Sequence, residues 1–132
     1  MSANTNTRMR TPLKNVRRLG SAKEGADHFW KQRMTGVANL VLAIFVVFIV
    51  VSLAGADHAT VKAALKSPLV SLPILLLVVS AMIHMRLGMQ TIIEDYVHNE
   101  GPKIALLMLN TFFTIAVGAA STLAVLKLTF GG

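Results

Sequence analysis

No cysteine occurs in the 132 residues. That excludes a disulfide framework, an Fe–S cluster held by this chain alone, a thiolate zinc site and a thiol nucleophile, and it leaves the redox compartment undetermined. Aromatic residues are also scarce, 6% with one Trp and one Tyr, and charged residues make up only 14%. What remains is apolar: 54% hydrophobic residues and a mean hydropathy of +0.62. A soluble domain of this length does not carry such a composition, so a membrane protein of one compact unit is expected. Acids are the rarest charge, six against 13 Lys and Arg for a net +7, and eight of the 13 bases fall within residues 1–33. The basic excess is therefore a property of one end, which disfavours a uniformly basic nucleic-acid binder.

Three charge-free runs organise the chain. They hold 23 residues between Arg33 and Asp57, 19 between Lys66 and Arg86, and 23 between Lys103 and Lys127. A helix rising ~1.5 Å per residue needs roughly 20 residues to cross a ~30 Å hydrocarbon core, and hydrocarbon tolerates only structures that satisfy their own backbone hydrogen bonds. The expected fold is an all-α membrane protein with three transmembrane helices, up-down-up, near 34–54, 68–93 and 103–126. A basic segment, 1–33, precedes this anchor and a short tail, 127–132, follows it. The second helix outruns its charge-free stretch because Leu87, Gly88, Met89, Thr91, Ile92 and Ile93 continue the apolar pattern beyond Arg86. Ser67-Pro68 starts that helix, and Asn99, Gly101 and Pro102 break the chain before the third. The first connection, residues 55–66, suits either a turn of interfacial helix or a polar loop.

Basic residues set the orientation. Arg8, Arg10, Lys14, Arg17, Arg18, Lys23, Lys31 and Arg33 precede the first helix, whereas the first loop has only Lys62 and Lys66. The N-terminus is expected inside, with Glu94, Asp95, Tyr96 and His98 on that same side and the C-terminus outside. The Arg-rich, acid-poor opening suits a bacterial cytoplasmic tail contacting anionic lipid or a peripheral subunit; a mitochondrial targeting segment is the alternative.

The second helix carries the ionisable groups. His84 sits about 13 Å above Ile93, close to the midplane of a ~30 Å core, where an imidazole needs a partner. At ~100° per residue His84, Gly88, Thr91 and Asp95 share one face, and Ser80 and Gly88 keep the profile low around the ring. A hydrogen bond to a neighbouring helix in small-residue packing is one reading of this histidine; a functional ligand is the other. A zinc site or hydrolytic triad lacks its remaining members, whereas haem needs a single neutral imidazole per axial position. Met82, Met85 and Met89 lie on the same helix and cannot reach the opposite axial position; His28, His58 and His98 fall outside the expected hydrocarbon. The second ligand then belongs to a partner chain. Arg86 either snorkels toward headgroups or pairs with a haem propionate, as does Arg33 at the mouth of the first helix. At the inner end, the Tyr96 hydroxyl suits a hydrogen bond to a quinone carbonyl and Asp95 suits proton relay; the plainer alternative is an interfacial anchor beside a solvated acid.

Taken together, the three helices, the inside N-terminus and the segment HisMetArgLeuGlyMetGlnThrIleIleGluAspTyrValHis at 84–98 resemble the small cytochrome b anchor, the hydrophobic D-type subunit, of succinate dehydrogenase (complex II). The pre-helix stretch at 20–36 is similar to that of alphaproteobacterial members. ArgMetThrGly at 33–36 faintly echoes the larger anchor chain, but the AspTyr pair after the histidine argues for the smaller one. The resemblance implies that His84 is one axial ligand of a haem b shared with the larger anchor, as half of a two-chain haem-binding bundle. It also implies that Tyr96, with Asp95 adjoining, faces ubiquinone, and that Arg33 approaches the propionates. The implied partners are the larger cytochrome b anchor, an Fe–S subunit and a flavoprotein; FAD and Fe–S clusters reside only in those partners, and this chain does not bind succinate or nucleic acid. The expected location is the bacterial inner membrane, with the mitochondrial inner membrane as alternative. Rival readings are the anchor of a quinol:fumarate reductase, which runs the same electron path in reverse, and a non-redox scaffold or transporter subunit without haem.

Overall fold

A computed structural model describes residues 24–131, all of whose regular structure is helical. The elements are α1 (Glu24–Ser52), α2 (His58–Lys66), α3 (Pro68–Tyr96) and α4 (Glu100–Phe130). The basic residues from Arg8 to Lys23, and with them the choice between a cytoplasmic tail and a targeting segment, lie outside the described residues. Three of the helices, α1, α3 and α4, are long and apolar enough to cross a membrane.

Each long helix outruns the charge-free run at its centre. α1 begins ten residues before Met34 and carries Lys31 and Arg33 within it, and α4 runs through Lys127 to Phe130. A helix of 29 residues such as α3 is about 43 Å long, which spans the headgroup zones as well as the hydrocarbon, where long basic side chains extend toward water. The connections are tight. α1 ends in a turn in which Gly55 takes φ +82°, a left-handed conformation that glycine adopts without Cβ strain. The following segment resolves into the nine-residue α2, whose N-cap Asp57 accepts a hydrogen bond from the Thr60 backbone N–H at 3.1 Å. Ser67 alone separates α2 from α3. Its carbonyl accepts from the Val70 and Ser71 amides at 3.0 and 2.9 Å, Pro68 occupies the first helical position, and the Ser67 side chain makes no cap bond.

α3 lies between the other two long helices. It packs against α1 on one side and α4 on the other, while among the described residues α1 and α4 do not touch. Side chains in α3 divide accordingly: His84 meets α1 and Met82 meets Gly118 of α4, where an added Cβ would come within 3.1 Å of Met82 Cγ. Among the described residues only Ile49 and Ile93 are buried apolar ones, whereas Ser71, Thr114 and Thr129 are buried polar ones. Thr114 and Thr129 donate their hydroxyls to carbonyls one turn back, Asn110 and Val125, at 2.8 and 2.9 Å. Phe48 at 69% and Leu40 at 65% exposure would be untenable in water. In lipid, apolar surface gains little from burial, and helices associate through small residues and polar contacts instead. Two such contacts tie α4 to α3: Asn110 Nδ2 donates to the Arg86 carbonyl at 3.0 Å, and Lys103 Nζ donates to the Glu94 carbonyl at 3.1 Å.

The side-chain hydrogen bond with Thr60, followed by the Thr60 backbone contact, holds the Asp57 carboxyl below its ordinary value. A carboxyl lowered on folding stabilises the folded form above its unfolded pKa, and that contribution disappears as pH falls through the folded pKa. Protection of the Thr60 amide against hydrogen exchange, taken relative to its intrinsic rate at each pH, should therefore fall as the pH drops below the ordinary carboxylate range, and in Asp57→Ala it should be low and lose that pH step. Unchanged protection in Asp57→Ala would contradict the cap.

Candidate functional site

The site forms where the polar stripe of α3 meets a matching stripe on α1. In α1, His28, Gln32, Thr35 and Asn39 recur at spacings of four, three and four, the same step that places His84, Gly88, Thr91 and Asp95 on one face of α3. Because the helices are antiparallel, the two stripes meet in reverse order. His84 Nδ1 lies 3.1 Å from Thr35 Oγ1 and 3.1 Å from the Gln32 carbonyl oxygen. One turn toward the start of α3, Ser80 Oγ donates to the Thr35 carbonyl at 3.4 Å. Thr35 Oγ1 itself is 2.7 Å from the Lys31 carbonyl and 3.2 Å from that of Gln32.

Glycines permit this approach. A Cβ at Gly36 would stand 3.3 Å from His84 Cε1, and one at Gly88 would stand 3.1 Å from Gln32 Nε2. Both positions are tighter than ordinary van der Waals contact, so the imidazole rests on the α1 backbone and the Gln32 amide rests on the α3 backbone. Among the described residues, His84 Nε2 has no hydrogen-bond partner, while His28 Nε2, Gln32 Oε1 and Asn39 Oδ1 are buried without one. The face between α1 and α3 thus gathers polar groups from His28 to Asn39 of α1 around His84, with one imidazole nitrogen engaged and the other open.

The remaining expected residues are distributed unevenly. His84 lies about 18 Å from the Tyr96 end of α3, because the helix continues past Ile93, and it stands level with residues 32–36 of α1. Asp95 and Tyr96 end α3, both exposed, with Tyr96 at 78%. Neither contacts His84. Arg33 is exposed on α1 with its guanidinium carbon 4.1 Å from the centroid of the Phe29 ring, which itself packs edge-on against Trp30 at 6.2 Å. Arg86 is about 160° around α3 from His84. It lines a cavity of about 260 Å³ with Met82, Thr114 and Gly118, on the α4 side of the layer. The structure does not bring Arg86 to the face that carries His84.

Sequence reasoning missed Gln32, Thr35, Gly36 and Asn39. The signal was present in the 4-3-4 spacing that follows His28, but the charge-free run opens only at Met34 and divides the stripe between a supposed tail and a supposed span.

Comparison with known proteins adds a family. The succinate dehydrogenase/fumarate reductase transmembrane subunit family matches residues 7–120. The succinate dehydrogenase hydrophobic membrane anchor subunit of Paracoccus denitrificans is 31% identical, over 92% of this chain and 93% of its own length. The protein of the same name from Rickettsia bellii is 28% identical over 88% of this chain and 93% of its own, and that from Rickettsia conorii is 28% identical over 80% and 84%. No solved structure matches the chain significantly.

The glycine contacts predict a graded response. Gly36→Val should lower the stability of the detergent-purified protein by about 1–3 kcal/mol, the usual range for overpacking, and Gly36→Ala by less. Gly25→Ala, where nothing lies within 4 Å, should be neutral. Thermal denaturation checks this, and equal losses at both glycines would contradict the close α1–α3 contact.

Proposed function

This chain belongs to the succinate dehydrogenase/fumarate reductase transmembrane subunit family, and from that premise we propose that it is the small hydrophobic anchor of a succinate dehydrogenase, sharing a haem b with a larger anchor chain and contributing to the site of ubiquinone reduction. The observation that carries the haem reading is the state of His84. Its Nδ1 is turned to α1, within 3.1 Å of two oxygens, so Nε2 is the nitrogen left to an iron. A neutral imidazole anchored in this way is the form in which histidine serves as an axial ligand. Haem, when bound, supplies a one-electron store within the membrane. His84 would hold it on this chain's side, and a second ligand would come from the partner chain. The open layer supports that division: among the described residues α3 is flanked along its length by α1 and α4, so another helical chain can complete a bundle around it.

The quinone belongs at the other end of the α3 stripe. Reducing it takes two electrons and two protons, and the second requirement falls to protein groups near water. The Tyr96 phenol, exposed at the end of α3, donates a hydrogen bond to one carbonyl oxygen and fixes the ring. Asp95, next in the chain and exposed, passes protons from the aqueous side. Arg33, held over Phe29 at 4.1 Å, offers a fixed positive charge to a haem propionate. Arg86, on the α4 side, would reach headgroups or a partner chain rather than a group held on the His84 face. Succinate oxidation, FAD and the Fe–S clusters belong to the flavoprotein and Fe–S subunits.

The bacterial sources of the relatives support a place in the bacterial inner membrane. The excess of basic residues before α1 supports a cytoplasmic N-terminus. The family also takes in fumarate reductase subunits, and the consistent naming of the relatives as succinate dehydrogenase subunits favours succinate oxidation.

In the purified complex, a dithionite-reduced minus oxidised spectrum should show a b-type haem that is lost or strongly perturbed in His84→Ala. Tyr96→Phe should lower succinate-to-quinone electron transfer ten-fold or more, while succinate oxidation by an artificial acceptor upstream is retained. Equal loss of both activities would indicate disrupted assembly, wild-type quinone transfer in Tyr96→Phe would refute a quinone-binding role for Tyr96, and a complex without haem would leave the non-redox scaffold as the correct reading.

A further inference from the structure

We infer that Thr35 is a positioning residue for His84: its hydroxyl oxygen, together with the Gln32 carbonyl, holds the imidazole proton on Nδ1 and so fixes Nε2 as the metal-binding nitrogen. The inference rests on the haem reading above and goes beyond it by assigning the residue that sets the ligand's tautomer and basicity.

The proton count carries the argument. Thr35 Oγ1 has one hydrogen and lies 2.7 Å from the Lys31 carbonyl and 3.2 Å from the Gln32 carbonyl. Carbonyl oxygens only accept, so the hydroxyl hydrogen points back into its own helix, to the nearer Lys31 oxygen. The lone pairs of Oγ1 are then what His84 Nδ1 meets at 3.1 Å, and its other neighbour at 3.1 Å, the Gln32 oxygen, is also an acceptor. A ring nitrogen flanked by two acceptors carries the hydrogen, since the opposite tautomer would set three lone-pair-bearing atoms against one another. Nδ1–H donates to both oxygens, and Nε2 keeps its lone pair. Geometry reinforces the choice. Gly36 allows the ring edge to lie where a Cβ would be 3.3 Å from Cε1, and Ser80 Oγ donating to the Thr35 carbonyl at 3.4 Å holds the two backbones in register.

An acceptor behind the distal nitrogen makes an axial imidazole more basic and favours the higher oxidation state of the metal. Thr35→Val keeps the shape and removes the oxygen, so the midpoint potential of the haem should rise in a potentiometric titration of the intact complex, and Thr35→Ser should return it toward the wild-type value. Gly36→Ala leaves the hydroxyl in place but presses on Cε1; it should shift the potential the same way and decides the matter if Thr35→Val does not assemble. Potentials unchanged in both Thr35→Val and Gly36→Ala, or a shift in Thr35→Val that Thr35→Ser fails to reverse, would overturn the inference. His84→Ala separates the two levels: if the haem stays with an unaltered spectrum when His84 is removed, the haem reading itself is wrong, whereas loss of haem there with unmoved potentials in the Thr35 and Gly36 variants rejects only the role of Thr35.

Discussion

An imidazole deep in an apolar helix must place its N–H on an acceptor, and in this chain the acceptors come from a different helix. His84 reaches Thr35 and the Gln32 carbonyl, which brings α1 and α3 so close that residues 36 and 88 have room only for glycine or slight strain. The same contact settles which way the ring faces. Hydrocarbon makes such a bond consequential, because the alternative is an unsatisfied polar group with no water to receive it.

The rest of the layer follows from how little else holds it. Among the described residues two buried apolar ones, Ile49 and Ile93, are no hydrophobic core, and lipid supplies no drive to enlarge one. α3 is bound to its neighbours by short polar links: Ser80 and His84 on the α1 side, Asn110 to the Arg86 carbonyl and Lys103 to the Glu94 carbonyl on the α4 side. A row of three helices fastened this way has two open faces. A family of membrane subunits that work within larger assemblies fits that architecture, since a helix layer whose outer helices do not meet is completed by another chain. The two ends of the α3 stripe then divide the proposed labour: a dry inner stretch for the iron ligand, and the exposed Asp95 and Tyr96 where protons are available.

The three spans were legible because charge is so costly in hydrocarbon that its absence marks them. Their ends were not, because Lys31, Arg33 and Lys127 sit within helix turns that cross the headgroup zone, where a charge costs little. The stretch at 55–66 was ambiguous for a related reason: nine helical residues are too few for periodicity to announce, and only the Asp57 to Thr60 spacing marks the cap. His84 stood out as the one histidine deep in an apolar run. Its partners did not, since Gln32 and Thr35 straddle the point at which the run begins, and a threonine in a transmembrane helix is unremarkable until something faces it. Arg86 read as a companion of His84 by proximity in sequence, but two residues along a helix turn a side chain to the far side. The family itself was legible in the segment from His84 to Tyr96.

The central claim is that His84 is clasped between α1 and iron, Nδ1 to one and Nε2 to the other. A map of the intact complex detailed enough to resolve side chains tests it directly. The account predicts porphyrin density whose iron meets His84 Nε2 while Nδ1 stays within hydrogen-bonding distance of Thr35 and the Gln32 carbonyl. Iron bonded to Nδ1, or a fully assembled complex with no porphyrin beside that ring, would contradict it.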